Sequence, residues 1–343
     1  MVDVQLTPRQ REILRRVVEE YVATGQPVGS KTLVERAGLD VSSSTVRNEL
    51  AELESIGLLT HPHTSAGRVP TEAGYRFYAD ELLGRLEPRP APFPLDLSSG
   101  SEVGAALEET TEILSRVTHL LALVSAPPLE TSTVRHVEVL LLQPQVVLAV
   151  VITSTGSVTK RMVAFDGPVD PGLVEWAGAY LNERVSGLRL GSHQLRQRFE
   201  DRDLSPRERD FLAALQPAFT ELFRAEQRLY VGGTGSLLDD VRADEIAAYR
   251  RLLEVLEQRA ALLDILGVAA DPRRPFIRVG GELENRDLRG VALVGATYGL
   301  GHRMLGAVSL LGPMRMDYEN AIRSVRGAAH ELSRFVEEVY ADS

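Results

Sequence analysis

The feature that most constrains the fold is a helix-forming segment followed at once by a short apolar pair and a polar loop. The segment from Ser42 to Tyr78 reads SSSTVRNELAELESIGLLTHPHTSAGRVPTEAGYRFY. Its serines can cap a helix, and Val46, Leu50 and Leu53 have the spacing of one apolar helix face. The order of helix, short strand, loop and short strand is typical of a recognition helix followed by a wing. We therefore expect contact with DNA, because an α-helix fits the major groove, where base pairs can be told apart.

The chain before and after this helix completes a helix-turn-helix pattern. The sequence TPRQ at 7–10 has the form of a capping box and predicts a first helix, which Gly25 and Pro27 end. A second helix follows at about 30–37, and a fourth begins after Thr71, which can cap it. Together with short strands at 58–60 and 68–70, these elements predict a winged helix-turn-helix domain over residues 1–84.

Arg47 and Asn48 point away from the apolar face of the third helix, near its N-terminus, where such a helix usually meets the bases. Arginine can donate two hydrogen bonds to guanine, and asparagine can pair with adenine. The sequence does not separate base contacts from phosphate contacts. It also leaves open that Arg47 forms a salt bridge on its own helix, with Glu49 or Glu52.

The hydroxyls of the first turn and the wing extend the predicted surface. Hydroxyls at a helix N-terminus can cap the helix or bind a phosphate. Arg68 can enter the minor groove or hold a phosphate, although a solvated turn arginine is the alternative. His61 and His63 form a weak ligand set for a metal and are expected to line the wing. The predicted DNA-binding residues are Ser43, Ser44, Thr45, Arg47, Asn48, His63, Thr64, Ser65 and Arg68.

The net charge of the chain is −10, so attraction to DNA has to be local. Between Glu54 and Glu72 the sequence has no acidic residue. There are no cysteines, which excludes disulfides and thiolate metal sites. The N-terminus lacks the pattern of a signal peptide, and the apolar runs fall short of the about 18 residues that a membrane helix needs. We expect a cytoplasmic protein with no cofactor, no bound metal and no membrane partner.

The rest of the chain predicts a domain that mixes helices and strands. Residues 85–101 contain four prolines and then Ser-Ser-Gly, which indicates a linker. Residues 102–190 and 241–343 predict an α+β domain, including an antiparallel meander of three strands at 134–142, 145–153 and 158–165. Residues 191–240 predict helices without strands, which indicates an insertion. Its apolar positions from Leu212 to Phe223, and those from Ile246 to Leu266, are candidate interface or ordinary core.

Seven strings in the chain match one family. The string HTSAGRVPTEAGYRFY at 63–78 is the most specific, because it is long and free of gaps. The others are LTPRQREIL at 6–14, PVGS at 27–30, TVRNELAELE at 45–54, VGG at 231–233, EN at 284–285 and GPMRMDY at 312–318. On these strings, which span nearly the whole chain, the sequence resembles the HrcA family, the heat-inducible repressors of bacterial chaperone operons.

This resemblance implies a GAF-like C-terminal domain that carries an inserted dimerisation domain, expected at 191–240. It also implies a homodimer that binds an inverted-repeat operator, loses repression on heating, and is kept active by the chaperonin GroEL. The alternative function is a regulator that responds to a metabolite in a GAF-type pocket. An enzyme fused to a DNA-binding domain is a further alternative, but the sequence contains no catalytic constellation.

Overall fold

The computed structural model describes residues 5–36, 41–62, 67–97, 102–127, 132–154, 156, 158–201, 203–220, 229–235, 246, 250, 254, 274–283, 288–301 and 303–341. Its N-terminal part is a winged helix-turn-helix, as predicted. The helices are α1 Pro8–Thr24, α2 Ser30–Glu35, α3 Ser43–Ser55 and α4 Glu72–Gly84, and the wing strands are β1 Leu59–Thr60 and β2 Val69–Pro70. The two strands pair antiparallel.

The helix ends follow from side chains that satisfy free backbone amides. Thr7 and Gln10 form the expected capping box at the start of α1. Gly25 ends α1 in the left-handed conformation, with φ of 64°, which costs glycine little because it has no Cβ. Ser42 caps α3, and Thr71 caps α4. The predicted starts of α1, α3 and α4 are therefore confirmed.

The C-terminal part contains a five-stranded antiparallel sheet with the order β7-β3-β10-β9-β8. One face packs on α5 and on the long closing helix α10. The strands are β3 Leu121–Ser125, β7 Leu229–Gly232, β8 Phe276–Val279, β9 Val291–Leu300 and β10 Arg303–Pro313, and the helices are α5 Val103–Thr118 and α10 Tyr318–Ala341. This arrangement is the α+β fold that the sequence predicts. The prediction of helices without strands over 191–240 is wrong at β7, because this four-residue strand is too short to give a clear pattern and forms by pairing with the distant β3. Among the described residues, no helix is long and apolar enough to cross a membrane.

Residues 132–220 build a second sheet with a hydrophobic core of its own. The predicted meander is confirmed, with strands in the order β4-β5-β6. Four helices accompany it. The elements are β4 Val134–Gln143, β5 Val146–Thr153, β6 Val158–Ala164, α6 Pro171–Val185, α7 His193–Phe199, α8 Pro206–Leu215 and α9 Pro217–Thr220.

The division expected between residues 190 and 191 falls inside this second unit, between α6 and α7. Leu212, Leu215 and Phe219 are at most 1% exposed, and they share one core with Val147 and Val151 of β5. These apolar positions are therefore core, not exposed interface. The last strand predicted for the meander ends near residue 165. The hydrophobic core of this unit nevertheless includes residues up to Phe219, because the helices cover one face of the meander. Leu222, Phe223 and most of 246–266 lie outside the described residues.

The linker and α4 hold the winged helix against the sheet domain. Tyr75 and Tyr78 of α4 lie beside Tyr318 at the start of α10, with ring centroids 6.1 and 6.2 Å apart. The described part of the linker packs along α10 near Gly327, where a Cβ would lie 2.8 Å from the Cβ of Phe93. The winged helix and the sheet domain consequently share a continuous apolar core.

Polar contacts fix the same junction. Arg76 donates a hydrogen bond of 3.1 Å to the backbone oxygen of Ile277, and its Nε lies 3.1 Å from a carboxylate oxygen of Glu282. The carboxylate of Glu72 accepts a hydrogen bond of 2.7 Å from the backbone amide of Gly281. The turn after β8 is therefore tied to α4 at its N-terminus and first turn.

Candidate nucleic-acid interface

The outward face of α3 presents Arg47 and Asn48 to solvent. Val46, Leu50 and Leu53 are at most 4% exposed and face the core of the winged helix, whereas Arg47 and Asn48 are exposed. Within the part of the chain that the structure describes, neither side chain has an ion-pair or hydrogen-bond partner. Their donors and acceptor are thus available to a ligand.

The acidic residues that could have neutralised Arg47 interact with α1 instead. Glu49 lies 3.6 Å from Arg9, and the carboxylate of Glu52 accepts a hydrogen bond of 2.7 Å from Gln10. The alternative in which Arg47 bridges to one of these carboxylates is not seen among the described residues. Among the described residues, the positive charge of Arg47 therefore has no acidic partner.

The first turn of α3 carries a cluster of hydroxyls. Ser42 accepts the capping hydrogen bond from the amide of Thr45, at 3.2 Å. The hydroxyls of Ser44 and Thr45 each lie 2.8 Å from that of Ser42, and the hydroxyl of Ser43 lies 3.0 Å from that of Ser30 on α2. Ser42 is thus the cap, Ser43 ties α3 to α2, and Ser44 is exposed at a helix end that favours anions.

The base of the wing is fastened to the recognition helix through Glu54. One carboxylate oxygen lies 2.7 Å from Arg68 Nη2, and the other pairs with His61 Nδ1. The backbone of Arg68 also exchanges two hydrogen bonds of 2.8 Å with Val28, in the loop before α2. The side chain of Arg68 is 25% exposed. Arg68 therefore stands at the root of the wing, half-buried and ion-paired, not as a solvated turn residue.

Glu54 is held in its ionised form by these partners. Burial would raise the pKa of this carboxyl, but the hydrogen bond with His61 and the charge of Arg68 outweigh burial and lower the pKa below its usual value. At neutral pH the carboxylate accordingly stabilises both wing residues. The wing tip, with His63, Thr64 and Ser65, lies outside the described residues.

Sequence reasoning did not find the role of Glu54. Its carboxylate reaches across from α3 to β1 and β2, so no spacing within one helix indicates the contact. The only signal was the local absence of acids after position 54, which leaves His61 and Arg68 without a nearer partner. Gln10 was recognised as part of a capping box, but its second contact with Glu52 depends on the packing of α1 against α3.

Two of the matching sequence strings meet at the junction between the domains. The string at 63–78 contributes Tyr75, Arg76 and Tyr78, and the string at 312–318 contributes Tyr318. These residues face each other over about 240 positions of sequence. The string at 63–78 therefore includes residues that contact the sheet domain, in addition to residues of the wing.

A helix-turn-helix followed by a two-stranded wing, with an exposed Arg-Asn pair near the start of its third helix, defines a winged-helix DNA-binding protein. Family models extend this to nearly the whole chain. Residues 5–81 match the winged helix-turn-helix transcription repressor HrcA DNA-binding domain, and residues 104–322 match the HrcA protein C-terminal domain. The chain belongs to the HrcA family of transcription repressors.

Curated relatives agree with the family models over their full length. The heat-inducible transcription repressor HrcA of Parafrankia sp. (strain EAN1pec) is 37% identical and covers 94% of this chain and 97% of its own. The repressor of the same name from Nocardia farcinica is 36% identical, with 97% of each chain covered. A 2.2 Å crystal structure of a protein described as hypothetical has a TM-score of 0.68 at 23% identity and covers 98% of this chain and 100% of its own. That similarity shows a shared fold.

Proposed function

We propose that this chain is a homodimeric, heat-inducible repressor that binds an inverted-repeat operator upstream of chaperone genes. The observation that carries the proposal is that Arg47 and Asn48 are exposed on α3 and have no hydrogen-bond or ion-pair partner among the described residues. One winged helix reads only a few base pairs, so a two-fold dimer on a palindrome supplies the missing specificity. The names of the curated relatives support heat-inducible repression.

The residues of the proposed DNA surface have different roles. Arg47 and Asn48 enter the major groove, Ser44 and Thr45 meet a phosphate at the first turn of α3, and Ser43 fixes that turn to α2. The wing completes the surface through His63, Thr64 and Ser65. Arg68 contributes by holding the wing at its root, and the exposed part of its guanidinium group faces the DNA backbone.

Binding to the operator is tested by fluorescence anisotropy on a duplex that carries the inverted repeat, called the operator duplex below. The expected dissociation constant is about 10⁻⁸ M, and a scrambled duplex should bind about 10³-fold more weakly. Equal affinity for the two duplexes would refute sequence-specific repression.

For the dimer contact we propose the outer face of the meander, which lies opposite α6 to α9. Cross-strand neighbours Leu140, Leu148 and Met162 form an apolar row on this face. Leu140 is 41% exposed and Met162 is 70% exposed. The next row places Glu138 and Lys160 on either side of a valine. An apolar row flanked by opposite charges suits a self-complementary contact between two copies.

Met162→Lys tests this contact. The charge lies on an exposed face, so folding should be unaffected, whereas burying an unpaired ammonium between two copies is costly. Sedimentation velocity should show a dimer for the wild type and mostly monomer for the variant. Met304→Lys is the matched control, because Met304 is also an exposed methionine on a strand, 42% exposed. A variant Met162→Lys that stays fully dimeric would remove this face from the interface.

For the heat response we propose that warming shifts the C-terminal part out of its binding-competent arrangement, and that GroEL restores it. This proposal is supported by the junction at α4, where the winged helix packs against the sheet domain. Affinity for the operator duplex, measured by fluorescence anisotropy, should fall across the heat-shock temperature range and recover when GroEL is added. Unchanged binding over that range, with and without GroEL, would contradict this mechanism.

A further inference from the structure

A cavity of about 480 Å³ lies between the winged helix and the sheet domain. Its lining comes from α1, from the end of α4 and the linker, and from α10. No lining residue belongs to the five-stranded sheet, so this is not the pocket that a GAF-type ligand site would predict. The volume is within the range of small-molecule sites in proteins, about 300–1,000 Å³.

Arginines dominate the charged lining of the cavity. Two of its five arginines are already neutralised: Arg15 pairs with Glu19 at 3.2 Å, and Arg85 pairs with Glu81 at 3.0 Å. The other three are Arg89, Arg323 and Arg326, against which stand only Glu87 and Glu319.

The guanidinium groups of Arg89, Arg323 and Arg326 each have N–H donors that make no hydrogen bond among the described residues. Arg89 is exposed and has no ion-pair or hydrogen-bond partner among the described residues. Arg323 makes one long contact of 3.4 Å with Asn320. Arg326 uses Nη2 on the backbone oxygen of Glu87, at 2.7 Å, which holds the linker against α10. The site is thus partly ordered before any ligand enters.

Apolar side chains complete the lining. Leu82 and Leu86 from the end of α4 and the linker, with Ile322 from α10, contribute the apolar side of the cavity. Guanidinium groups match phosphate oxygens in fork geometry and bind them more strongly than neutral donors do. An apolar wall beside them accommodates a ring or a short carbon skeleton.

We propose that this cavity binds a small phosphorylated molecule through a diphosphate group held by Arg89, Arg323 and Arg326. A ligand whose diphosphate is held by these arginines and whose carbon skeleton lies against Leu82 contacts the linker, α10 and the winged helix at once. It therefore favours the arrangement in which the two domains are docked, because anything that binds one arrangement better shifts the population toward it. The site is separate from the DNA-binding face of α3.

The test is thermal unfolding of the full chain without DNA, so its outcome does not depend on the repressor assignment. The probes are inorganic pyrophosphate, ADP and inorganic phosphate, each compared with KCl at matched ionic strength, because salt alone changes surface electrostatics. Saturating pyrophosphate should raise the Tm of the wild type by about 3 °C. The same shift is expected for Arg334→Gln, an exposed control arginine on α10 outside the cavity.

The double variant Arg89→Gln/Arg323→Gln should lose most of the shift. Arg89→Gln alone should reduce the shift while removing no ion pair or hydrogen bond seen among the described residues. Saturation by ADP at tenfold lower concentration than pyrophosphate would support the site and identify a nucleotide as the source. Equal saturation would support the site with the free diphosphate as ligand. No shift beyond KCl in the wild type, or an equal shift in the double variant, would overturn the proposal.

Discussion

At the scale of single residues, we expect Arg47 to contribute directly to the proposed DNA contact. Arg47→Ala removes an exposed guanidinium without a partner among the described residues, so the Tm should not change. A lost base contact costs about 1–3 kcal/mol, which is roughly a 5- to 150-fold weaker binding of the operator duplex in anisotropy. Arg334→Ala, on α10, is the control.

The salt dependence of the same variant separates two kinds of contact. If Arg47 binds a phosphate, the slope of log affinity against log salt should fall by about 1 for each protomer. If Arg47 reads a base, the slope should stay and discrimination against the scrambled duplex should drop. Wild-type affinity and slope in Arg47→Ala would exclude this residue from the interface.

Glu54 determines how the wing sits on the recognition helix. Glu54→Gln keeps the size of the side chain but removes the charge that Arg68 and His61 share. The pair with Arg68 is partly exposed, so the expected loss in free energy of unfolding is about 0.5–1 kcal/mol. Operator affinity should fall by more than this loss of stability explains, because the wing loses its fixed position. Glu81→Gln, which breaks the exposed pair with Arg85, should leave operator binding unchanged.

The lowered pKa of Glu54 also predicts a dependence on acidity. The folded state holds this carboxyl ionised more strongly than the unfolded chain does. Its contribution is complete above the usual pKa of a glutamate and is lost as the pH falls through the lowered pKa. Chemical unfolding between pH 7 and pH 3 should therefore show a smaller acid loss in Glu54→Gln than in the wild type. An identical pH profile for both proteins would show that the ion pair adds no stability.

At the scale of elements, several predictions that depend on local sequence are confirmed, but the prediction of helices without strands over 191–240 is wrong, because β7 lies there and pairs with β3. The capping box at Thr7, the cap at Thr71 and the three-strand meander follow from neighbours in the chain, and local rules suffice for them. The extent of the second unit does not follow from local sequence. The helices α7 to α9 join β4 to β6 through the burial of residues such as Leu212 and Phe219, which lie far from the strands in the chain. The root of the wing was missed for the same reason, since Glu54 meets Arg68 only after α3 and β2 have packed.

Arg76 on α4 links the winged helix to the sheet domain. Arg76→Ala removes a hydrogen bond of 3.1 Å to Ile277 and the ion pair with Glu282. Hydrogen bonds to charged groups contribute about 1.5–3 kcal/mol, so the variant should unfold in two steps or at a clearly lower temperature in calorimetry. Arg85→Ala, which loses one exposed ion pair at the C-terminal end of the same helix, is the control. A single transition at the wild-type temperature would show that the junction does not depend on Arg76.

At the scale of the whole molecule, three surfaces have separate tasks. In the proposed function, the face of α3 contacts DNA and the outer face of the meander pairs two copies. The junction at α4 then sets the position of the first surface relative to the second. Operator affinity of a dimer depends on that geometry, because both half-sites must be engaged together. We therefore expect a change in the C-terminal part, caused by heat or by a ligand in the junction cavity, to alter binding at the DNA surface.

The most direct measurement is a hydroxyl-radical footprint of the full chain on the operator duplex, run beside Arg47→Ala at the same protein concentration. We expect two protected half-sites with their centres separated by whole turns of the duplex. At a protein concentration close to the wild-type dissociation constant, both protections should weaken together in the variant. Protection of a single half-site, or a footprint that survives Arg47→Ala intact, would contradict the claim that paired α3 faces bind the operator.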